Sequence, residues 1–422
     1  MDSTAARVAA WPDDAVFAMA ILVSVLLGIV MRSTCRAQTR VLLATAAGTL
    51  VALATGAACL AHALFQIAAI FCVLKRAPQE LKGPLCATAA FAYLALLRIA
   101  HLQSGAANAL QLMLTLKLAS VGFDAADGNA APTTLAQLYQ YCFCYFGIIT
   151  GPFFSYDDWV RAMQASYVQK QWPTRARRAL ASAIFAILVW QGIHFFLPYS
   201  HIQEQYWTDS PFIYRFAYFY VSSFQFRYRF YSCWLVMEAA GEVANFSVTS
   251  NVNLIECEGA TSIIDFVAAW NTSVHRFLRD FVYSRLPLRS RVARRACTFI
   301  VSAFWHGIRP GYYLFFAGVF AMILTETFVR DLVLQLVGFA VTGGSSFQNE
   351  VHTKLISVAG HFWTLSLLTF FGAGFNILNF TDTIDVWKSL HFYGVQAIIL
   401  PLGASIIYHL AKARRKESTR KK

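Results

Sequence analysis

Polar side chains set within apolar runs are the residues of this 422-residue sequence best placed to do chemistry, because a polar group in hydrocarbon is costly and is kept where it acts. His306 is the clearest. It stands in Phe304-Trp305-His306-Gly307-Ile308-Arg309-Pro310-Gly311-Tyr312-Tyr313, with apolar residues 296–305 ahead and 314–324 behind. An imidazole in such a place is a functional candidate. Gly307, Pro310 and Gly311 would loosen the helix and let backbone approach a ligand. The competing reading is a core histidine that donates to a neighbouring carbonyl.

Asn271 is the second candidate. It lies beside Phe266, Trp270, Val274, Phe277 and Phe281, whose helical spacing describes an amphipathic helix at a membrane interface. Asn271-Thr272-Ser273 also matches a glycosylation sequon, but the basic stretch Arg285–Arg295 follows closely and argues for the cytoplasmic side. His275 and Asp280 spell His-x4-Asp, a pattern of a separate family of glycerolipid acyltransferases. On a regular helix those positions are about 140° apart and do not pair, and the companion motifs of that family are absent.

Two further constellations stand out. Phe224–Tyr231 sets Arg227 and Arg229 among aromatics. Guanidinium groups there suit a phosphate, or they snorkel toward headgroups. Tyr145–Phe154 places Thr150-Gly151-Pro152 inside an apolar segment, as a broken helix lining a cavity would, or as a simple kink. No histidine shows the His-Glu-x-x-His spacing of a zinc site, and no metal is expected.

Composition says what must position these residues. Only 14% are charged, against about 25% in ordinary soluble domains, while 57% are hydrophobic and 15% aromatic. A soluble globular protein, a disordered chain and a disulfide scaffold are thereby disfavoured. Lys+Arg 35 against Asp+Glu 22 leaves +13, but the basic residues fall in short clusters between apolar runs. That is the pattern of cytoplasmic loops rather than of nucleic-acid binding. The nine cysteines sit mostly in apolar stretches and read as small buried hydrophobes.

Residues 1–14 carry Asp13 and Asp14 and lack a basic n-region, so Ala15–Met31 is expected to stay as a first membrane helix. Arg32, Arg36 and Arg40 form a cytoplasmic loop. Val41–Leu74 is too long for one crossing of about 20 residues and reads as two spans broken near Gly56. After the basic loop Lys75–Lys82, further spans are Leu85–Leu102, Ala107–Val121, Leu138–Phe154, Ala179–Leu197, Phe212–Phe224, Cys297–His306 continuing to Leu324, Leu355–Gly372 and Tyr393–Leu410. Lys170–Arg178 and Arg285–Arg295 are cytoplasmic connectors. The expectation is an all-α, multi-pass transmembrane helical bundle of about 10–12 helices, some re-entrant. It forms one domain over 1–411, with a basic cytoplasmic tail over 412–422. No repeat period appears, and the halves show no evident similarity.

Taken together, these stretches resemble the membrane-bound O-acyltransferase family, in its lysophosphatidylinositol acyltransferase branch. The likeness runs through Gln111–Lys117, Tyr141–Phe154, Phe226–Tyr231 with Trp234, Trp270-Asn271, and Trp305 to Tyr313, within Ala107–Leu410. The resemblance implies that Asn271 and His306, 35 residues apart, are the family's catalytic pair in a chamber ringed by helices. It implies substrate contacts at Trp270, Trp305, Arg227, Arg229, Thr150, Gly151 and Pro152. The implied reaction moves a polyunsaturated acyl group such as arachidonoyl from acyl-CoA to the sn-2 hydroxyl of a lysophospholipid, foremost lysophosphatidylinositol, in phospholipid remodelling. Acyl-CoA is then a co-substrate, no cofactor or metal is needed, and the setting is the endoplasmic reticulum membrane. The alternatives are a family member acylating another acceptor (another lysophospholipid, a sterol or a protein), or a transporter with a proton-relay histidine. The transporter needs acidic partners, for which Asp265 and Glu326 are candidates. A non-catalytic scaffold is a third class.

Overall fold

The computed structural model describes residues 13–33, 36–164, 173–204, 207–246, 249–341 and 346–420. Expectations placed on residues 1–12, Cys35, Lys170–Trp172, the side chains of the tail beyond residue 410 and the last two lysines lie outside the described residues. Eighteen α-helices and no strand occur among those described. They form two compact units, whose boundaries fall inside two of the helices and between Trp270 and Asn271.

The first unit spans residues 1–188, 228–252 and 271–287. It opens with α1 (Asp13–Ser33), α2 (Ala37–Ala54), α3 (Ala57–Arg76), α4 (Lys82–Ile99) and α5 (Gly105–Ala126), matching the expected apolar runs. The break between α2 and α3 falls at Thr55-Gly56, as the length of the run required. Small residues face inward: Ala20, Ser24 and Gly28 of α1 are buried, whereas Leu22, Leu26 and Ile29 are exposed. Lipid solvates the large apolar side chains, and small ones let helices approach closely. Asp13 accepts from the backbone N–H groups of Gly105 and Ala106, both at 2.9 Å, and so caps α5.

Arg40 corrects the expected cytoplasmic loop. It lies in the first turn of α2 and is 1% exposed. The helices α6 (Leu135–Cys142), α7 (Tyr156–Gln164) and α8 (Thr174–Phe196) follow, then α9 (Phe212–Ser222) and α10 (Phe224–Ala244). Arg40 donates to carbonyls near the C-terminal ends of three helices: Met31 of α1 at 2.7 Å, Ala162 of α7 at 2.9 Å and Ala244 of α10 at 2.8 Å. Such carbonyls have no partner within their own helix, and the helix dipole favours a cation there.

The expected spans Leu138–Phe154 and Phe212–Phe224 differ from the structure. Leu138–Phe154 is not one helix, because α6 ends at Cys142 and the chain runs irregularly and buried to Phe154. Phe212–Phe224 becomes α9, whose 11 residues are too short to cross a bilayer.

The second unit spans residues 189–227, 253–270 and 288–422. With α11 (Leu254–Glu258) and α12 (Ile263–Ala269) preceding α13 (Thr272–Phe277) of the first unit, it continues through α14 (Arg291–His306) and α15 (Pro310–Val341). It ends with α16 (Ser346–Ile377), α17 (Phe380–Ser389) and α18 (Tyr393–Arg420). The run expected from Cys297 to Leu324 is thus two helices, separated at Gly307-Ile308-Arg309. Glu326 accepts from the backbone N–H of Ile263 at 2.9 Å, capping α12. Asp265 is exposed. Both candidate proton partners of the transporter reading therefore have structural or surface placements.

Among the described residues, 8 helices are long and apolar enough to cross a membrane, or up to 9 if α17 and α18, bent by 75°, form one span. The expected all-α multi-pass bundle is what the chain forms. Eight of the nine cysteines lie among the described residues, and five of these are buried.

Candidate active site

The expected amphipathic helix around Asn271 is interrupted where the chemistry was placed. α12 ends at Ala269, Trp270 is extended, and Asn271 takes a left-handed backbone with φ 45° and ψ 51° before α13 begins. Asparagine is among the few residues with a side chain that tolerate this region. Its side chain makes no capping hydrogen bond. A π turn over Leu278–Val282 then replaces regular helix, so the helical geometry assumed for His275 and Asp280 does not hold. Asp280 pairs with Arg279 at 2.7 Å. Burial and the neighbouring Arg279 hold the His275 imidazole below its ordinary pKa, which keeps it neutral.

Asn251 runs beside this turn, and the sequence reading passed over it. Its backbone carbonyl accepts from Thr272 N–H at 2.9 Å. Its side-chain Oδ1 accepts from Ser273 N–H at 3.1 Å and from the Ser273 hydroxyl at 2.6 Å. The Ser273 oxygen in turn accepts from Phe153 N–H at 2.8 Å. The Thr150-Gly151-Pro152 loop is therefore joined through Phe153 to the turn that carries Asn271, within one unit. Gly147 and Gly151 have φ of +66° and +117°, a backbone region that L side chains rarely adopt, and they break the expected helix here. Gly151 and Pro152 are buried, and Thr150 is partly so.

Lys117 braces the same loop. This buried ammonium donates to the carbonyls of Tyr141 at 3.2 Å and Cys142 at 3.3 Å, the orphan acceptors that end α6. It also lies 4.6 Å from the Phe154 ring centre. Beyond α13, the Arg285 guanidinium stacks over Phe123 at 4.5 Å and donates to Asp127 at 3.2 Å. That hydrogen bond holds the Asp127 carboxyl below its usual range. A depressed carboxyl stabilises the fold above the unfolded value of about 3.9 and loses that contribution as pH falls through the folded pKa. Asp127→Asn is expected to melt below the wild type near neutrality, and the gap between their melting midpoints should close in acid. A gap independent of pH would show that the charge is not what matters.

In the second unit, His306 ends α14 and is half-buried among aromatic rings. Phe316 stacks on it at 5.3 Å and Tyr312 at 5.9 Å, while Phe375 meets it edge-on at 4.9 Å. Trp305 is buried beside it, with ring centres 4.6 Å apart. The rings depend on a close helix crossing. A Cβ on Gly311 would lie 2.2 Å from the Gly374 carbonyl oxygen, so only glycine lets α15 sit this near α16 and bring Phe375 to His306. Gly311 N–H also donates to Leu378 O at 3.0 Å. Phe226 reaches the same Phe375 at 5.3 Å.

Arg227, 6% exposed, makes a two-pronged bond to Glu258 at 2.8 and 2.9 Å and stacks over Phe224 at 4.5 Å. Two of its donors are thus directed to protein rather than to a phosphate, although a guanidinium has five N–H groups. Arg229 is exposed. Trp270 stacks on Phe266 at 5.7 Å. Trp270, Trp305, Arg227 and His306 belong to the second unit, and Asn271, Arg229 and Thr150–Pro152 to the first.

Residues 47–339 match the membrane-bound O-acyltransferase family, a stretch covering more than half of the chain. The chain belongs to this family. It is an all-helical, multi-pass membrane acyltransferase. All nine expected site residues lie within the family match. Among its relatives, the membrane-bound acylglycerophosphatidylinositol O-acyltransferase of Homo sapiens is 28% identical over 343 residues, 68% of this chain and 70% of its own. The Xenopus laevis protein of the same name is 25% identical over 344 residues, again 68% and 70%. Lysophospholipid acyltransferase 1 of Arabidopsis thaliana is 22% identical over 310 residues, 67% of this chain and 64% of its own. Within this family member, sequence reasoning missed Asn251, Glu258, Phe316 and Phe375. Asn251, Glu258 and Phe375 meet their partners across long gaps in the chain, which no local spacing announces.

Proposed function

We propose that this acyltransferase moves a polyunsaturated acyl group, such as arachidonoyl, from acyl-CoA to the sn-2 hydroxyl of a lysophospholipid, with lysophosphatidylinositol as the preferred acceptor. The observation that carries the acceptor is the likeness over about two thirds of the chain to relatives named for acylglycerophosphatidylinositol and lysophospholipid. The reaction is phospholipid remodelling in the endoplasmic reticulum membrane, without a metal or further cofactor.

His306 is the base in this reading. The lipid hydroxyl gives its proton to the imidazole as its oxygen attacks the thioester carbonyl. The Asn271 carboxamide hydrogen-bonds the oxyanion that develops on the carbonyl. Collapse breaks the carbon–sulfur bond, and the imidazolium proton passes to the departing thiolate, leaving ester and free coenzyme A. The aromatic surroundings of His306 support the assignment by limiting water around the imidazole. Trp270, Trp305 and the Thr150–Pro152 loop would line the substrates, and Arg227 or Arg229 would meet a phosphate.

The test supplies purified protein with arachidonoyl-CoA and lysophospholipids that differ only in headgroup, following both the new diacyl lipid and free coenzyme A. Preference for the inositol headgroup is expected. A different preferred acceptor would discard the inositol reading and keep the family. No release of coenzyme A with any lysophospholipid would overturn the proposal.

A further inference from the structure

We infer that Asn251 is a positioning residue that caps α13 in place of Asn271, and so leaves the Asn271 carboxamide available to the reacting groups. The inference rests on the role proposed above for Asn271.

An asparagine at the start of a helix ordinarily folds its side-chain oxygen back onto the N–H of the second or third helical residue, from an extended backbone. Asn271 holds that position but has a left-handed backbone and makes no such bond. The work is done from elsewhere in the chain. The first helical N–H, of Thr272, goes to the Asn251 carbonyl at 2.9 Å, and the second, of Ser273, goes to Asn251 Oδ1 at 3.1 Å. Those donors would otherwise be orphans. The Ser273 N–H also decides which end of the Asn251 amide is oxygen, since only an acceptor can face it.

Asn251 is built for this task. It is 1% exposed, and its Oδ1 takes a second bond from the Ser273 hydroxyl at 2.6 Å. Through Ser273 the same oxygen is linked to Phe153 N–H, next to the Gly151-Pro152 turn. With the Asn251 side chain removed, the Thr272 N–H keeps the backbone carbonyl of residue 251, but the vacated Ser273 N–H would attract the Asn271 oxygen, and the carboxamide would be drawn into a capping role. Its NH2 would then point away from the developing oxyanion.

The experiment measures kcat, KM for both substrates and the melting midpoint for wild type, Asn251→Ala, Asn271→Gly and the double variant, each purified in detergent. Asn271→Gly keeps a residue at ease with a positive φ while deleting the carboxamide. Asn251→Ala is expected to lower kcat on the order of 10²-fold, the scale of a displaced catalytic group, with KM values little changed. The double variant should be no slower than Asn271→Gly alone, because Asn251 acts through Asn271. Folded Asn251→Ala with wild-type kcat, or losses that multiply in the double variant, would overturn the inference while leaving the asparagine's own role intact. Wild-type activity in Asn271→Gly would overturn that role, and the inference with it. If Asn251→Ala does not fold, Asn251→Asp keeps the oxygen acceptor. A kcat within about tenfold of wild type then supports positioning, and a loss equal to that of Asn271→Gly in folded protein overturns it.

Discussion

Replacing His306 by alanine is expected to lower acyl transfer by about 10²–10⁴-fold, the usual contribution of a positioned base. A lipid hydroxyl is a poor nucleophile while it keeps its proton. His306→Gln is the stricter variant. It keeps a polar side chain of similar reach among Tyr312, Phe316 and Phe375 but cannot take up the proton. Both variants should fall in kcat far more than they rise in KM, since the lost interaction is made in the transition state. The measurement is coenzyme A release by purified protein, with melting midpoints recorded to separate chemistry from folding. If His306→Gln keeps rates close to wild type, the base is elsewhere.

Arg40→Ala is expected to produce the largest loss of stability. One guanidinium serves the carbonyls of Met31, Ala162 and Ala244 in the last turns of α1, α7 and α10. Removing it leaves three buried acceptors without this donor, at roughly 1–3 kcal/mol each, so a cost of at least about 3 kcal/mol is expected. Arg40→Lys should recover only a part, because an ammonium is a point charge without the planar fork that reaches several acceptors at once. Thermal unfolding in detergent and the yield of monodisperse protein check the order: wild type, then lysine, then alanine. An alanine variant that melts with the wild type would show that α1, α7 and α10 hold together without this contact.

The apolar runs alone were sufficient to locate α1 to α5, α8 and α16, as well as the break at Gly56. A bilayer requires long helices with satisfied backbones, so hydrophobic length translates almost directly into spans. The candidate site residues were also visible as types: a histidine, an asparagine, two arginines and a Gly-Pro turn within or beside apolar runs.

What those residues do locally was decided by tertiary contacts. Helical spacing around Asn271 predicted a continuous amphipathic helix, but the chain breaks at Trp270-Asn271, and Asn251, 20 positions earlier, caps the helix that follows. Arg40 read as a cytoplasmic charge, yet its last partner lies 204 positions further along the chain. Arg227 read as a phosphate ligand or a snorkelling charge, and no spacing announced its bond to Glu258, 31 positions away. The sequence by itself therefore determined the membrane class and the helix-rich architecture, because these follow from local composition and period. Only the tertiary structure decided which buried donors and acceptors meet. A hydrogen bond is satisfied by whatever polar group folding brings within about 3 Å, and neither hydropathy nor periodicity encodes that partner.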